Sequence, residues 1–184
     1  MYLKRKLEEE VLLLKIRHGD QEAFAALYDS YVDQLYRFVS FRVRTAELAQ
    51  DITSDLFLKL WQHLTRDQGK AISNLRAYLY QVARNLIADH YRSEQKTLPL
   101  DEALQVSDLS LPRSLSPEHR VSLQEIEQAL TKLKEEWQEV VILAYVEGLK
   151  PHEIASIIGK TPAATRVILH RALQELKNVL NVSE

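Results

Sequence analysis

The segment PHEIASIIGKTPAATRVILHRALQELKNVL, residues 151–180, decides the fold of this chain. A short helix can begin at Pro151 and end at Gly159, and a longer helix can begin after Thr161. Ala155 supplies a small side chain where the two helices would cross. Apolar residues then fix the crossing angle: Ile154, Ile158, Ile168, Leu169 and Leu173. This spacing predicts a helix-turn-helix, whose second helix can lie in a DNA major groove.

The rest of the chain is also predicted to be helical. All 4 glycines and all 5 prolines fall between periodic segments. Asp20 is a predicted N-cap, followed by an apolar stripe of Phe24, Leu27, Tyr28, Tyr31, Leu35, Phe38 and Val39. Thr45 is a second predicted cap, followed by Leu48, Ile52, Leu56, Leu60 and Leu64. A third helix is predicted over residues 74–92, with Leu75, Leu79, Val82, Ala83 and Leu86 facing inward.

Residues 93–117 predict a flexible linker between two domains. This stretch contains Pro99, Pro112 and Pro117 and has no helical period. We therefore expect an all-α protein with one domain at 1–92 and a second at 118–184. In the second domain, Ser116 is the predicted cap of a helix that buries Leu123, Ile126, Leu130 and Leu133. The next predicted helix contains Trp137, Val140, Val141, Leu143 and Tyr145, and Gly148 ends it.

The charge of the chain is unevenly distributed. The net charge is −2, but residues 93–130 carry 3 basic and 7 acidic side chains. Residues 70–92 and 160–177 each carry four basic side chains and one acidic side chain. These two segments are locally cationic and could contact phosphates, although solvated helix faces also carry such charges.

Several classes of function are excluded by the residues that the sequence lacks. There is no cysteine, which excludes disulfides and thiolate metal sites. His152-Glu153 lacks the second histidine of a zinc protease motif, and no P-loop or nucleophile elbow occurs. The longest apolar run, 140–146, is too short to cross a bilayer, and Glu8 to Glu10 interrupt a leader-like N-terminus. We expect a cytoplasmic protein without membrane insertion, enzymatic activity, cofactor or metal.

Four segments in order resemble one family. They are GDQEAFAALYDSYVDQLYRFV (19–39), AQDITSDLFLKLW (49–61), NLRAYLYQVARNLIADHYR (74–92) and VILAYVEGLKPHEIASIIGKTPAATRVILHRALQELK (141–177). Together they resemble the sigma-70 family of bacterial RNA polymerase sigma factors, in its extracytoplasmic-function (ECF) subfamily. The resemblance implies promoter recognition, melting of the −10 element and transcription initiation. The implied partners are the RNA polymerase core, through its β′ coiled coil and β flap, promoter DNA and an anti-sigma factor.

The resemblance also places candidate contact residues along the chain. Those expected to bind core polymerase are Asp51, Ser54, Asp55 and Phe57. Those expected at the −10 element are Lys70, Ser73, Asn74, Arg76, Tyr80, Arg84, Asn85 and Arg92, with Tyr78 and Tyr91 as further stacking candidates. Those expected at the −35 element are Lys160, Thr161, Ala163, Ala164, Thr165, Arg166, His170, Arg171 and Lys177.

Structural roles and other functions compete with this interpretation. Aromatic residues on a helix are often part of a core, and Asn85 and Asp89 could be buried hydrogen-bond partners. The chain could instead be a helix-turn-helix repressor that acts without polymerase, with an N-terminal dimerisation or ligand domain. A helical adaptor that binds only protein would tolerate charge reversal at Arg84, Arg166 and Arg171.

Overall fold

The computed structural model describes residues 2–66, 72–97, 126 and 128–181. Every regular element in these residues is a helix. The chain divides into two compact units, residues 1–107 and 108–184. The prediction of an all-α protein with two helical domains is therefore confirmed. The division between the units falls inside the predicted linker, of which residues 98–117 lie outside the described part.

The first unit contains four described helices: α1 (Tyr2–Arg17), α2 (Gln21–Ser40), α3 (Ala46–Thr65) and α4 (Leu75–Thr97). The predicted caps are present, since Asp20 accepts a hydrogen bond from the Ala23 amide at 3.0 Å and Thr45 accepts one from Leu48 at 3.1 Å. The core is formed by side chains less than 2% exposed: Ile16, Leu27, Leu35, Phe38, Leu56, Leu60, Leu79, Tyr80 and Ile87. Each such side chain stabilises the fold by about 1.5–3 kcal/mol through burial, which makes the unit a rigid support for its outer helix faces.

Helix α1 is not predicted by the sequence pattern, because the acidic run at residues 8–10 interrupts its apolar residues. In the structure, Leu13 and Ile16 of this helix are 7% and 0% exposed. The Tyr31 hydroxyl also donates a hydrogen bond to Glu9 Oε1 at 2.7 Å, which ties α1 to α2.

Helix α4 continues five residues beyond its predicted end at Arg92. The start of the predicted linker is therefore wrong, because residues 93–97 are helical. Arg44 Nη1 lies 3.6 Å from Glu94 Oε1, and the Tyr91 hydroxyl donates to the Arg42 carbonyl oxygen at 3.2 Å. No glycine or proline occurs between Arg92 and Pro99, and a proline disfavours helical backbone in the preceding residue.

The second unit contains α5 (Glu135–Val141), a π-helical segment (Ile142–Val146), α6 (Pro151–Ile158) and α7 (Pro162–Asn181). Residues 128–131 are also helical. Gly159 has φ 69° and ψ 33°, so it ends α6 in the left-handed conformation that glycine adopts without a Cβ clash. The predicted helix-turn-helix is therefore present, and Ile154 and Ala155 of α6 are buried.

Three expectations about this unit need correction or fall outside the structure. The predicted helix through Tyr145 changes to π geometry at Ile142, and Tyr145 is 64% exposed. Ile126 is 39% exposed rather than buried, whereas Leu130 and Leu133 are buried as expected. The predicted cap at Ser116 and the buried position of Leu123 lie outside the described residues.

Candidate nucleic-acid and protein interfaces

The outer face of α3 carries the residues expected to bind core polymerase. Asp51, Ser54 and Asp55 are exposed and, at spacings of three and four residues, share one side of the helix. Their side chains are therefore available to a partner without any change in the packing of the unit. Two carboxylates on one exposed helix face form an acidic surface that suits a basic partner.

Phe57 does not belong to that face. It is only 3% exposed, and its ring centroid lies 4.5 Å from that of Tyr28 and 6.4 Å from that of Phe24. A side chain enclosed in this way supports the helix and does not meet a partner directly. The neighbouring Leu58 is instead 53% exposed, and it follows Ser54 by one helical turn. The sequence reading missed Leu58 because adjacent apolar residues do not reveal which of them faces the core.

The residues expected at the −10 element spread along α4 and its N-terminal approach. Ser73, Asn74, Asn85 and Arg92 are exposed, and Arg76 and Arg84 are partly exposed. Lys70 lies outside the described residues. The Asn74 side chain accepts a hydrogen bond from the Ala77 amide at 3.0 Å, so it caps α4 in this structure. Asn85 and Asp89 are exposed, which excludes the alternative that they are buried core partners.

The three tyrosines considered for base stacking have structural partners. Tyr80 is 0% exposed and its ring meets that of Phe38 edge-on at a centroid distance of 5.0 Å. Tyr78 is half-buried and stacks on His63 at 5.3 Å, and Tyr91 is held to the Arg42 carbonyl. Tyr80 is therefore a core residue, because a fully buried ring offers no face to a base.

Replacing Tyr80 by alanine is expected to destabilise the first unit by about 3–5 kcal/mol, because it deletes a fully buried aromatic side chain. Urea denaturation followed by circular dichroism measures the change. Tyr145→Ala is the matched control, since that ring is 64% exposed and its loss should cost less than about 0.5 kcal/mol. Equal stability of the two variants would contradict the core assignment of Tyr80.

The residues of α7 that are expected to contact DNA include exposed side chains and side chains that are buried or half-buried. The outward residues are Ala163, Arg166, His170, Arg171 and Lys177, all exposed. Thr165 is 0% exposed, and its hydroxyl donates to the Thr161 carbonyl oxygen at 3.0 Å, so it cannot meet a base edge. Thr161 accepts from the Ala164 amide at 3.2 Å and thereby caps the helix, while Ala164 is half-buried.

Val167 is a surface residue that the sequence reading missed. It is 50% exposed and lies beside Arg166, four residues after Ala163 and three before His170. Its exposure could have been predicted, because Ile168 and Leu169 already occupy the inward-facing positions of this helical turn. An exposed valine at this position adds an apolar contact surface to a helix face that is otherwise cationic.

Lys160, in the turn before α7, is held by a residue from another helix. Its Nζ lies 2.9 Å from Glu136 Oε1, in the first turn of α5. A similar pair joins Arg92 Nη1 and Asp89 Oδ1, also at 2.9 Å. Both cations are expected DNA contacts, and both have an acidic partner in the free chain.

Comparison with known proteins assigns the chain to a family. The model of sigma-70 region 2 matches residues 27–97, and the model of sigma-70 region 4 matches residues 123–176. The chain belongs to the sigma-70 family, in its ECF subfamily. These two matches confirm the resemblance to the sigma-70 family. Sigma factors are regulatory initiation factors. Within the described residues, no helix of this sigma factor is both long enough and apolar enough to cross a membrane.

Individual relatives support the same assignment. The sigma factor is 31% identical over 173 residues to the ECF RNA polymerase sigma factor BldN of Streptomyces coelicolor, an alignment that covers 92% of this chain and 64% of BldN. It is 27% identical to the ECF sigma factor SigM of Bacillus subtilis, with 84% and 93% of the two chains covered. Its fold matches that of CnrH, solved in complex with the cytosolic domain of CnrY, at a TM-score of 0.73 and 21% identity, covering 96% of this chain and 99% of CnrH.

Proposed function

We propose that this sigma factor brings RNA polymerase core to promoters by dividing the work between its two units. The first unit binds core polymerase and the −10 element, and the second binds the −35 element. The observation that carries this proposal is that both units of one chain have exposed faces of the required charge. An acidic face lies on α3, and cationic residues are exposed on α4 and α7. The proposed site of action is the cytoplasm, where polymerase and promoters meet.

The surface proposed for core binding consists of Asp51, Ser54, Asp55 and Leu58 on α3. The carboxylates attract a basic partner and align it, and the partner would be the coiled coil of the β′ subunit. Leu58 adds apolar area that becomes buried in the complex and contributes about 25 cal/mol per Å² removed from water. Phe57 supports this face from the buried side, because its ring contacts the rings of Phe24 and Tyr28 on α2.

The surface proposed for the −10 element is the polar side of α4 with the residues preceding it. Its members are Lys70, Ser73, Asn74, Arg76, Arg84, Asn85 and Arg92. Bases of a melted strand can be read by amide and guanidinium groups, which donate hydrogen bonds to base edges and phosphates. Tyr80 is left out of this set because it is buried.

The surface proposed for the −35 element is the exposed face of α7. Arg166 can donate two hydrogen bonds to a guanine, and Ala163 and Val167 can contact thymine methyl groups. His170 and Arg171 extend the same face, while Lys160 and Lys177 contact phosphates. Thr161 acts as the helix cap, and Thr165 and Ala164 fix the position of α7 from its packed side.

Transcription in vitro tests the proposed function directly. The purified chain is combined with core polymerase and a library of duplex promoters, and the transcribed templates are sequenced. We expect transcripts only when the chain is present, with base preferences at two separated elements. Absence of transcripts at low salt would contradict the proposal. A tight footprint on duplex DNA without polymerase would favour a repressor, and unchanged activity after reversing Arg84, Arg166 and Arg171 would favour a protein-binding adaptor.

An anti-sigma factor is a further proposed partner. CnrH was solved with the cytosolic domain of CnrY, and a sigma factor RpoE of Bartonella quintana was solved with the anti-sigma factor NepR. This chain shares the fold of both proteins, with TM-scores of 0.73 and 0.67. A protein that covers the face of α3 or α7 would prevent binding to polymerase or DNA.

A further inference from the structure

Two of the cations proposed to contact DNA are ion-paired within the free chain. Lys160 Nζ and Glu136 Oε1 are 2.9 Å apart, and their side chains are 40% and 47% exposed. Arg92 Nη1 and Asp89 Oδ1 are also 2.9 Å apart, with side chains 68% and 59% exposed. Each unit therefore contains an ion-paired cation among the residues proposed for its promoter element.

Such pairs contribute little to the stability of a fold. In an exposed ion pair, screening by solvent and the entropy of two long side chains offset most of the attraction. The helices that carry these residues are held by other contacts. Val141 of α5 and Ala172 of α7 lie in one buried cluster with Leu130 and Leu133. Stability therefore does not explain why these carboxylates lie beside the cations.

The same carboxylates lower the affinity of the chain for DNA. A phosphate that approaches Lys160 competes with Glu136 for the ammonium group, and the carboxylate stays nearby because Glu136 lies in the first turn of α5. Its negative charge then repels the phosphate across a distance well within the Debye length of about 10 Å at 0.1 M salt. Since phosphate contacts provide nearly all of the affinity for DNA of arbitrary sequence, this affinity falls.

We propose that Glu136 and Asp89 act as intramolecular competitors of DNA phosphates for Lys160 and Arg92. They weaken DNA binding by the free chain, so that the chain is not retained on arbitrary DNA before it joins polymerase. The base-reading groups Arg166 and Val167 are unaffected, because neither pair includes them. This inference rests on the proposed function, since it assumes that Lys160 and Arg92 face DNA.

The test measures binding of the full chain to a labelled duplex without promoter elements, by fluorescence anisotropy at about 50 mM and 300 mM salt. Glu136→Gln and Asp89→Asn should each tighten binding by about 2- to 5-fold at low salt, and the gain should shrink at high salt as screening increases. Asp33→Asn is the matched control, because it removes one exposed carboxylate from α2 and changes the net charge equally. Its gain should be clearly smaller.

A double-mutant cycle shows whether the effect acts through the cation. In a Lys160→Ala background, Glu136→Gln should no longer tighten binding, because the group for which it competes is absent. The inference is overturned if Glu136→Gln behaves like Asp33→Asn, or if its full gain persists without Lys160. Circular dichroism of each variant checks that the helices are retained.

The outcome for the wild-type chain separates this inference from the proposed function. If the chain directs transcription with core polymerase and Lys160→Ala weakens DNA binding, then an unchanged affinity of Glu136→Gln refutes the competition alone. If the chain directs no transcription and Lys160→Ala leaves DNA affinity unchanged, the proposed function has failed and the inference fails with it. A working sigma factor whose Lys160→Ala variant binds DNA normally also overturns the inference, because Lys160 is then not a phosphate contact.

Discussion

The double charge reversal Asp51→Lys with Asp55→Lys is expected to weaken association with core polymerase by about 100-fold or more. Both carboxylates are exposed on one face of α3. When such a group becomes buried against a basic partner, its truncation costs about 2–5 kcal/mol, and a reversed charge adds repulsion. Binding of fluorescently labelled chain to core polymerase measures the loss, and transcription from a fixed promoter should fall with it.

Asp29→Lys with Asp33→Lys provides the control for this experiment. These two aspartates are also exposed and four residues apart, but they lie on α2 and outside the proposed surface. The control makes the same change in net charge, so a general electrostatic effect on polymerase binding would appear in both variants. Comparable losses in the two variants would argue against a specific role for α3. Leu58→Ala should give a smaller loss than the α3 reversal, because it removes apolar contact area without introducing repulsion.

The sequence predicted most helices correctly where the apolar period was uninterrupted and a capping residue preceded it. Helix α2 follows Asp20 and α3 follows Thr45, and both caps are made as expected. Gly159 could be placed in the turn because few other residues adopt its positive φ. These features depend only on residues close together in the chain, so they can be predicted from the sequence.

Features that depend on packing were harder to predict. Helix α1 buries Leu13 and Ile16, and a stripe of this length is too short to identify by period. The end of α4 depends on Arg44 and Tyr91, whose contacts join residues 49 or more positions apart. No local pattern reveals contacts of that kind.

The assignment of individual site residues shows the same limit. The family resemblance placed Tyr80 and Thr165 among the expected DNA contacts, but only the packed structure shows that both are fully buried. The pair of Lys160 with Glu136 joins the turn before α7 to the first turn of α5, and no local sequence pattern predicts it. The elements could be predicted, whereas the direction of each side chain depended on the tertiary fold.

Replacing Arg166 by alanine is expected to lower transcription from promoters that need a −35 element by about 10- to 100-fold. A bidentate contact of arginine with guanine is worth about 1–3 kcal/mol of discrimination, and Arg166 is the exposed arginine nearest to the start of α7. The fold should be retained because the side chain is exposed. The promoter library should show relaxed base preference at one position of the −35 element and unchanged preference at the −10 element.

Lys177→Ala distinguishes base reading from charge at this interface. Lys177 is exposed on the same helix but lies 11 residues beyond Arg166, about 16 Å along the axis at the usual rise per residue. Its loss should weaken binding about equally for all promoters and reduce the salt dependence by about one counterion, without altering base preference. If Arg166→Ala instead weakened all templates equally, Arg166 would be a phosphate contact. Sequence recognition would then depend on the neighbouring apolar and polar residues of α7, Ala163, Val167 and His170, because these also face outward from the helix.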